Sequence, residues 1–326
     1  MTGLIGRVDS AAGGPRDAEA GGLRVAVVVM VRDGGAVLRE ALAMHALQVP
    51  APFLRLMADT ASRDGVPGEA RALGWQVLSI APGEFDHGGT RATAFEHCVM
   101  AGADVVVMFT QDAVPLGRDA VARVVAPFAD PAVAVAYGRQ VPRAEADVFE
   151  AFPRCWNYPA YPARRVFADV SRLGIQTAFV SDSFAAWRTS AVREVGGFAP
   201  RIIGGEDLQL AARLLRAGYA AVYAADAAVI HSHRYEFGSE FGRYFDIGAM
   251  HAQQREVLAP LGSATGAGLR YARAELQVAW TEAGAVGVWR SLLRSAGKWV
   301  AYRMGRRWSW WPVALRRRLS GAPWWW

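Results

Sequence analysis

The stretch Val105-Val106-Val107-Met108-Phe109-Thr110-Gln111-Asp112 decides the fold of this chain. Its apolar run reads as a strand buried on both faces, and the abrupt change at Thr110 marks the carboxyl end. Ligands of open α/β sheets bind just outside those ends. Asp112 therefore stands at the mouth of a site, where a carboxylate oxygen can hold a divalent cation that keeps positions open for phosphate oxygens. The plain alternative is a strand-end Asp that caps the next turn. A cation carrying a diphosphate would make this a chain that moves a group off a nucleotide.

Outward from that strand, the first half alternates. Leu23 to Val31 reads as a buried strand, Gly34-Gly35 breaks it, and Ala36 to Gln48 carries a helical apolar pattern. Phe53 to Ala58 is a second strand ending at Asp59, and Trp75 to Ile80 is a third. A loop, Ala81 to Gly89, opens a helix running to about Ala101. A helix over Ala120 to Phe128 and a strand over Ala132 to Tyr137 come after the opening strand. This rhythm predicts a mostly parallel sheet with helices on both faces. Residues 139–175, rich in Arg, Pro and aromatics, read as irregular structure with short helices around a cleft. Thr177 to Trp187 returns to strand character, and Glu206 to Ala217 is a helix closed by Gly218. Ala220 to Ile230 holds a short strand, and Phe237 to Leu258 and Leu269 to Arg303 read as largely helical.

The 326 residues are 52% hydrophobic and 20% charged, which describes a packed globular chain rather than a disordered one. Cys98 and Cys155 are the only cysteines; their spacing suits neither a zinc site nor a disulfide framework, and a reducing compartment is expected. Residues 1–22 lack the apolar core of a signal peptide and read as a loose leader. No long charge-free apolar stretch predicts a transmembrane span. The net charge of +6 is uneven: residues 283–326 hold nine Arg or Lys and no acid, leaving about −3 (6 minus 9) on the rest. Eight of the twelve tryptophans lie there too. Cations mixed with indoles suit an anionic membrane surface. A basic helix pair packed on the domain is the plain reading. Basic density confined to one end argues against a nucleic-acid partner.

Four further constellations carry chemistry. Asp59 to Gly65 (Asp-Thr-Ala-Ser-Arg-Asp-Gly) follows the second strand, where a carboxylate can accept from a ribose hydroxyl or base, or merely cap a turn. Phe85 to Arg91 (Phe-Asp-His-Gly-Gly-Thr-Arg) opens a helix, whose free N–H groups and Arg91 suit an anion; capping by Asp86 or Thr90 is the alternative. Gly204-Gly205-Glu206-Asp207 places two acids in a first helical turn, as caps or as a general base. His231-Ser232-His233 puts two imidazoles on one face, able to help bind a metal or phosphate.

Taken in order, these motifs resemble the inverting family-two glycosyltransferases of the GT-A fold, and most of all the bacterial rhamnosyltransferases. Met30 to Gly35 (MVRDGG) matches the end of the family's first strand, with Val31 at the donor; Asp59 to Gly65 resembles its nucleotide loop. FDHGGTRA at 85–92 is similar to the rhamnosyltransferase signature, which usually ends in Asn where this chain has Ala92. FTQDAVP at 109–115 resembles the metal-binding strand end, with Gln111 in place of a frequent second acid. GGEDLQLAARLLRAGY at 204–219 resembles the acceptor and base helix, and IHSHRY and RYFDIGAMH complete the series over roughly residues 23–255.

The resemblance implies Asp207 as the base and Glu206 as an acceptor contact. It implies Val31, Asp59, Asp86, His87, Arg91, Gln111 and Asp112 at the nucleotide-sugar, and Mg2+ or Mn2+ on Asp112 with His231 or His233. It implies single displacement with inversion, Arg91 and the metal stabilising the departing diphosphate. Thr60, where the family often has an acid, is compatible with a thymidine donor, so dTDP-rhamnose is expected. The acceptor would be a glycan or a lipid-linked one, met at the cytoplasmic face of the cell membrane. The expected division is a leader (1–22), a GT-A domain (23–260, nucleotide half 23–138 and acceptor half 139–260) and a basic, Trp-rich helical tail (261–326). Two other classes remain: a sugar-nucleotide nucleotidyltransferase, against which stands the presence of a single lysine, Lys298, and a non-catalytic membrane scaffold.

Overall fold

The computed structural model describes residues 22–262 and 265–326; the expected leader lies outside them but for Gly22. In chain order the elements are β1 (Val25–Val31), α1 (Gly35–Ala46), β2 (Leu54–Asp59), α2 (Val66–Ala72), β3 (Gln76–Ser79), α3 (His87–Met100), β4 (Val105–Thr110), β5 (Val114–Pro115), α4 (Ala120–Val125), β6 (Val133–Val141) and α5 (Val148–Asn157). There follow β7 (Ala163–Arg165), α6 (Val170–Leu173), β8 (Phe184–Arg188), α7 (Thr189–Glu194), α8 (Glu206–Arg216), β9 (Ala220–Ile230), α9 (Phe237–Gln253), α10 (Arg255–Leu258), α11 (Thr265–Gly305) and α12 (Val313–Leu319).

All nine strands join one sheet in the order β3-β2-β1-β4-β8-β6-β9-β5, with β7 beside β9. β3, β2, β1 and β4 run parallel, β8 runs antiparallel between β4 and β6, and β6 pairs parallel with β9. Because side chains alternate along a strand, each central strand feeds two cores. Ala26 and Val28 of β1 with Val106 and Met108 of β4 face the layer of α3, α7, α8 and α9. Val27, Val29, Val105, Val107 and Phe109 face α1, α2 and α4. This is why β1 and β4 read as unbroken apolar runs: both faces are covered. The register sets Val31 beside Asp59, Met30 beside Thr110 and Asp59 beside Ser79, so the polar strand ends lie along one edge.

Some boundaries differ from the sequence expectation. Pro127 cannot donate into a helix, and Ala126–Ala129 tightens into a 3-10 turn after α4. Only Phe184–Arg188 of the stretch from Thr177 to Trp187 is strand. Its first part is 3-10 (Gly174–Ala178) and its middle spends Ser181 and Asp182 on side-chain bonds. The helix expected over Phe237 to Leu258 breaks at Gln254, whose amide donates to the Gly204 carbonyl at 3.0 Å. β5, unforeseen, pairs antiparallel with β9.

The tail is helical as expected, but it folds back. Gly284 has φ 57° and ψ −145° inside α11, a conformation that suits glycine. Ser291 then reaches Glu275 at 2.9 Å, and Lys298 lies 3.4 Å from Glu275 and 3.2 Å from Glu240 of α9. Arg294 pairs with Glu240 at 2.9 Å. Two acids and two cations thus meet, mostly buried, between hairpin and domain. Leu261, Ala322, Trp308 and Trp326 belong to or pack against the core under α3 and α8. No described helix is long and apolar enough to cross a membrane.

Gly305 touches α9 so closely that a Cβ would overlap the carbonyl oxygen of Phe245. Gly305→Ala should therefore lower Tm by several degrees, whereas Gly218→Ala, where a Cβ meets nothing within 4 Å, should cost only its backbone strain at positive φ. A thermal melt of both variants checks that the tail is integral; an unshifted melt for Gly305→Ala would contradict it.

Candidate active site

Two groups of polar side chains face the carboxyl edge of the sheet. The first forms where β5 pairs with β9. Val114 opposite Ile230 brings the residues just before β5 alongside those just after β9. Asp112 Oδ1 lies 3.4 Å from His231 Nε2, and Asp112 Oδ2 lies 3.3 Å from His233 Nε2. One ligand atom from each of the three falls within 4.8 Å of the others. Gln140 fixes the His231 tautomer. Its carbonyl Oε1 accepts from Arg154 Nη1 at 2.6 Å and lies 2.8 Å from His231 Nδ1, so Nδ1 must donate. That leaves Nε2 as a lone pair aimed at Asp112, the arrangement in which an imidazole ligates a metal. An imidazolium would hold the Asp112 carboxyl far below its usual range, against the upward push of burial. Burial, however, lowers both imidazoles, His233 to about 4. At neutral pH three lone-pair donors therefore face one another, and a divalent cation fits that set. Oxygen and imidazole nitrogen together suit Mn2+ or its neighbours better than an all-oxygen cage would.

The second group gathers at the start of α8. Arg91, one turn into α3, lies buried with Nη1 2.8 Å from Glu206 Oε1 and Nε 3.0 Å from Asp182 Oδ2; the latter contact is not aligned as a hydrogen bond. Asp182 also accepts from Trp187 Nε1 at 2.8 Å. Its backbone N–H donates to Asp207 Oδ2 at 3.2 Å, and Asp207 Oδ1 accepts from Leu208 N–H at 2.7 Å. Three acids thus share one arginine. Burial raises all three carboxyls. Arg91, then His87, outweighs it at Glu206, which stays low. At Asp182 burial wins and the carboxyl is raised well above its usual range. Asp207, half-buried, is pushed up to about 6 by burial and then by the charge of Glu206.

The side chain of Arg91, expected at the departing diphosphate, is 9% exposed and committed to two carboxylates. Glu206, expected at the acceptor, is 5% exposed and clamped to Arg91 beside Asp207. The signature glycines also serve packing. A Cβ on Gly88 would overlap the Ala199 carbonyl oxygen, and one on Gly89 would crowd Asp86. Asp86 caps α3 through Gly89 N–H at 3.0 Å, and the same oxygen accepts from Arg201 N–H at 2.6 Å. The helix start thereby grips the loop that delivers Glu206 and Asp207. His87 packs between Phe85 and Trp324, with ring centroids at 5.2 and 5.6 Å. Asp86 and His87 so border the acids rather than the metal-ligating set.

Around the loop after β2, the structure laces β1 to its neighbours. Gln111 Oε1 accepts from Arg32 N–H at 2.8 Å. Asp33 accepts from Arg63 N–H at 2.7 Å, Asp64 from Gly35 N–H at 2.8 Å, and Asp59 from Ser62 N–H at 3.2 Å. Thr60 N–H donates to the Val31 carbonyl at 2.8 Å. Gln111 therefore ties two strand ends together, and Val31 and Asp59 line the adjoining edge. Asp182, Gln140, Arg154 and Trp324 were not singled out from sequence; Ser181-Asp182-Ser183 reads as an ordinary turn, and the partners of Gln140 and Arg154 come from distant segments.

The fold and the sequence have clear relatives. Residues 23–246 match the model described as glycosyltransferase like family 2. The chain is 33% identical to the O-antigen chain rhamnosyltransferase RfbN of Salmonella typhimurium, over 91% of this chain and 94% of that one. It is 35% identical to the O-antigen chain rhamnosyltransferase WbaN of Salmonella anatum, over 84% and 86%. Among solved structures, a mannosyltransferase from Pyrobaculum calidifontis in complex with GDP-Man and Mn2+ superposes with a TM-score of 0.55 at 20% identity, covering 94% of this chain and 88% of that one. With its GT-A architecture and a match over most of its length, this chain belongs to the family-two glycosyltransferases and is a glycosyltransferase.

Proposed function

We propose that the chain transfers rhamnose from dTDP-rhamnose, with inversion, to a hydroxyl of a glycan acceptor in cell-surface polysaccharide synthesis. The relatives named above act as rhamnosyltransferases, which supports the sugar. The observation that carries the reading is the pairing of Asp112, His231 and His233 on one side of the sheet edge with a carboxyl tuned to about 6, Asp207, on the other. A general base works best when its pKa lies near the working pH.

In this reading the donor lies along the ends of β1, β2 and β4, its nucleoside over Val31 and Asp59. Asp112, His231 and His233 hold Mn2+ or Mg2+, which supplies Lewis-acid stabilisation of the diphosphate. Arg154 and Arg243, whose charges reach both histidines, supply the cationic surroundings that Arg91 does not. Asp207 takes the proton of the acceptor hydroxyl while that oxygen attacks the anomeric carbon and the nucleoside diphosphate leaves. Glu206, kept ionised by Arg91, holds Asp207 basic enough to do so. A nucleotidyltransferase reading gains no support from Lys298, the single lysine, which is 8% exposed and paired with Glu240 and Glu275.

The tail supports a place at the inner face of the cell membrane. Trp280, Val286, Trp289, Leu293 and Trp299 of the hairpin stay exposed among arginines. Indoles and cations together favour an anionic lipid surface.

Four outcomes follow from this reading. Asp207→Asn should keep donor binding and lose about 10²–10⁴ in turnover. In the wild type, kcat/KM should fall as pH drops through about 6, because the raised carboxyl protonates there and the base is lost. A rate profile flat down to pH 5, or near-normal turnover in Asp207→Asn, would remove Asp207 from the role. dTDP-rhamnose with Mn2+ should raise Tm, and Asp112→Ala should abolish the metal-dependent part; a shift that survives, or one given by uridine donors alone, would contradict the metal or the donor assignment. Wild type should sediment with phosphatidylglycerol vesicles at low salt and Trp289→Ser/Leu293→Ser/Trp299→Ser should not; equal sedimentation of both would contradict the membrane contact.

A further inference from the structure

The tail carries a second cationic feature that the transfer step does not use. Arg255 at the start of α10 and Arg303, Arg306 and Arg307 around the end of α11 line one surface cavity of about 520 Å3, with His251 and Tyr302 in its wall. Among the described residues no acid lines this cavity. Among the described residues none of the four guanidinium groups forms an ion pair. The contrast within the same hairpin is sharp: Arg294 and Lys298 are each matched by Glu240 or Glu275. Four like charges around one cavity repel, and a bound anion would offset that. The cluster's field is felt by His251, which burial and then Arg306 hold down to about 4. Guanidinium forks match the oxygens of phosphate in geometry as well as charge.

Two further observations say which phosphate. Arg303 lies over the ring of Trp299 at 5.6 Å and Arg307 over Trp310 at 5.0 Å. Both indoles are exposed, 64% and 72%, so the cavity opens onto the surface suited to lipid. The cavity is also tied to the base. Gln254, directly before Arg255, donates to the Gly204 carbonyl at 3.0 Å, and Met250 packs on Gly205, the residue before Glu206. We propose that the Arg255–Arg303–Arg306–Arg307 cavity binds the diphosphate of a lipid-linked glycan acceptor, whose lipid chain leaves past Trp299 and Trp310 and whose sugar reaches Asp207. This rests on the assignment of Asp207 as the base of a glycan-directed transfer.

The test is calorimetric titration of the full chain with farnesyl diphosphate, in EDTA and with dTDP saturating the donor site. Wild type should bind, inorganic pyrophosphate should compete more weakly, and farnesol should not bind. Arg303→Gln/Arg307→Gln should weaken farnesyl diphosphate at least tenfold; the single Arg306→Gln should weaken it less, and both variants should melt as the wild type does. No binding by wild type, or unchanged binding by the double variant, overturns the proposal. Equal affinity for pyrophosphate makes it a free-anion site and overturns the lipid part. Loss of phosphatidylglycerol-vesicle sedimentation with farnesyl diphosphate binding intact assigns the arginines to general membrane contact and overturns it too. Hydrolysis of dTDP-rhamnose should be equal in wild type and variants. Its absence in wild type would fail the underlying transfer reading while leaving the binding result to stand alone.

Discussion

One buried arginine among three carboxylates is the interaction on which the start of α8 depends. Arg91 joins α3 to the loop before β8 through Asp182 and to the start of α8 through Glu206. Removing one partner of a buried ionic group costs about 3–5 kcal/mol because the rest stay desolvated and unpaired. One cation cannot balance three acids, so the excess is settled by protonation. Glu206, in direct contact with Arg91, stays charged; Asp182, desolvated and facing two other acids, is pushed up; Asp207 is left in between. The knot that holds three segments together is also what tunes the carboxyl of Asp207.

The metal-ligating side is built by different means. Sheet register aligns the ends of β1, β2 and β4, and the short β5–β9 pairing carries Asp112 to His231 and His233. Gln140 and Arg154 then orient His231 from behind. Neither side depends on a loop alone. Asp86 accepts from both Gly89 and Arg201, which fixes the α3 start against the loop bearing the acids. Transfer chemistry needs such fixed geometry, since most of the acceleration in displacement reactions comes from positioning and electrostatics.

Much of this was legible in the sequence, and the legible part has a common cause. Apolar runs that stop at a carboxylate report strand ends, so the sheet, Asp59 and Asp112 could be placed from local pattern. His231 and His233 followed from their spacing, and Glu206 and Asp207 as a pair from their helix start; the resemblance alone singled out Asp207. What local pattern cannot carry is who meets whom. The partners of Arg91, Asp182 and Glu206, lie far along the chain. The close approach of the Ala199 carbonyl to Gly88 and the second bond of Asp86, to Arg201, are likewise tertiary facts. Leu269 to Arg303 had a continuous helical pattern, and only the positive φ of Gly284 turns it into a hairpin whose buried charges meet α9.

The central claim, that one shared arginine leaves Asp207 as the titrating carboxyl, is most directly measured by carbon-13 NMR of the labelled side-chain carboxyls, with Asp207→Asn to assign the resonance. The account predicts that Asp207 titrates near pH 6, that Asp182 stays protonated well above the ordinary carboxylate range, and that Glu206 stays ionised below its usual pKa. Asp207 titrating near 4, with Asp182 already ionised there, would contradict it.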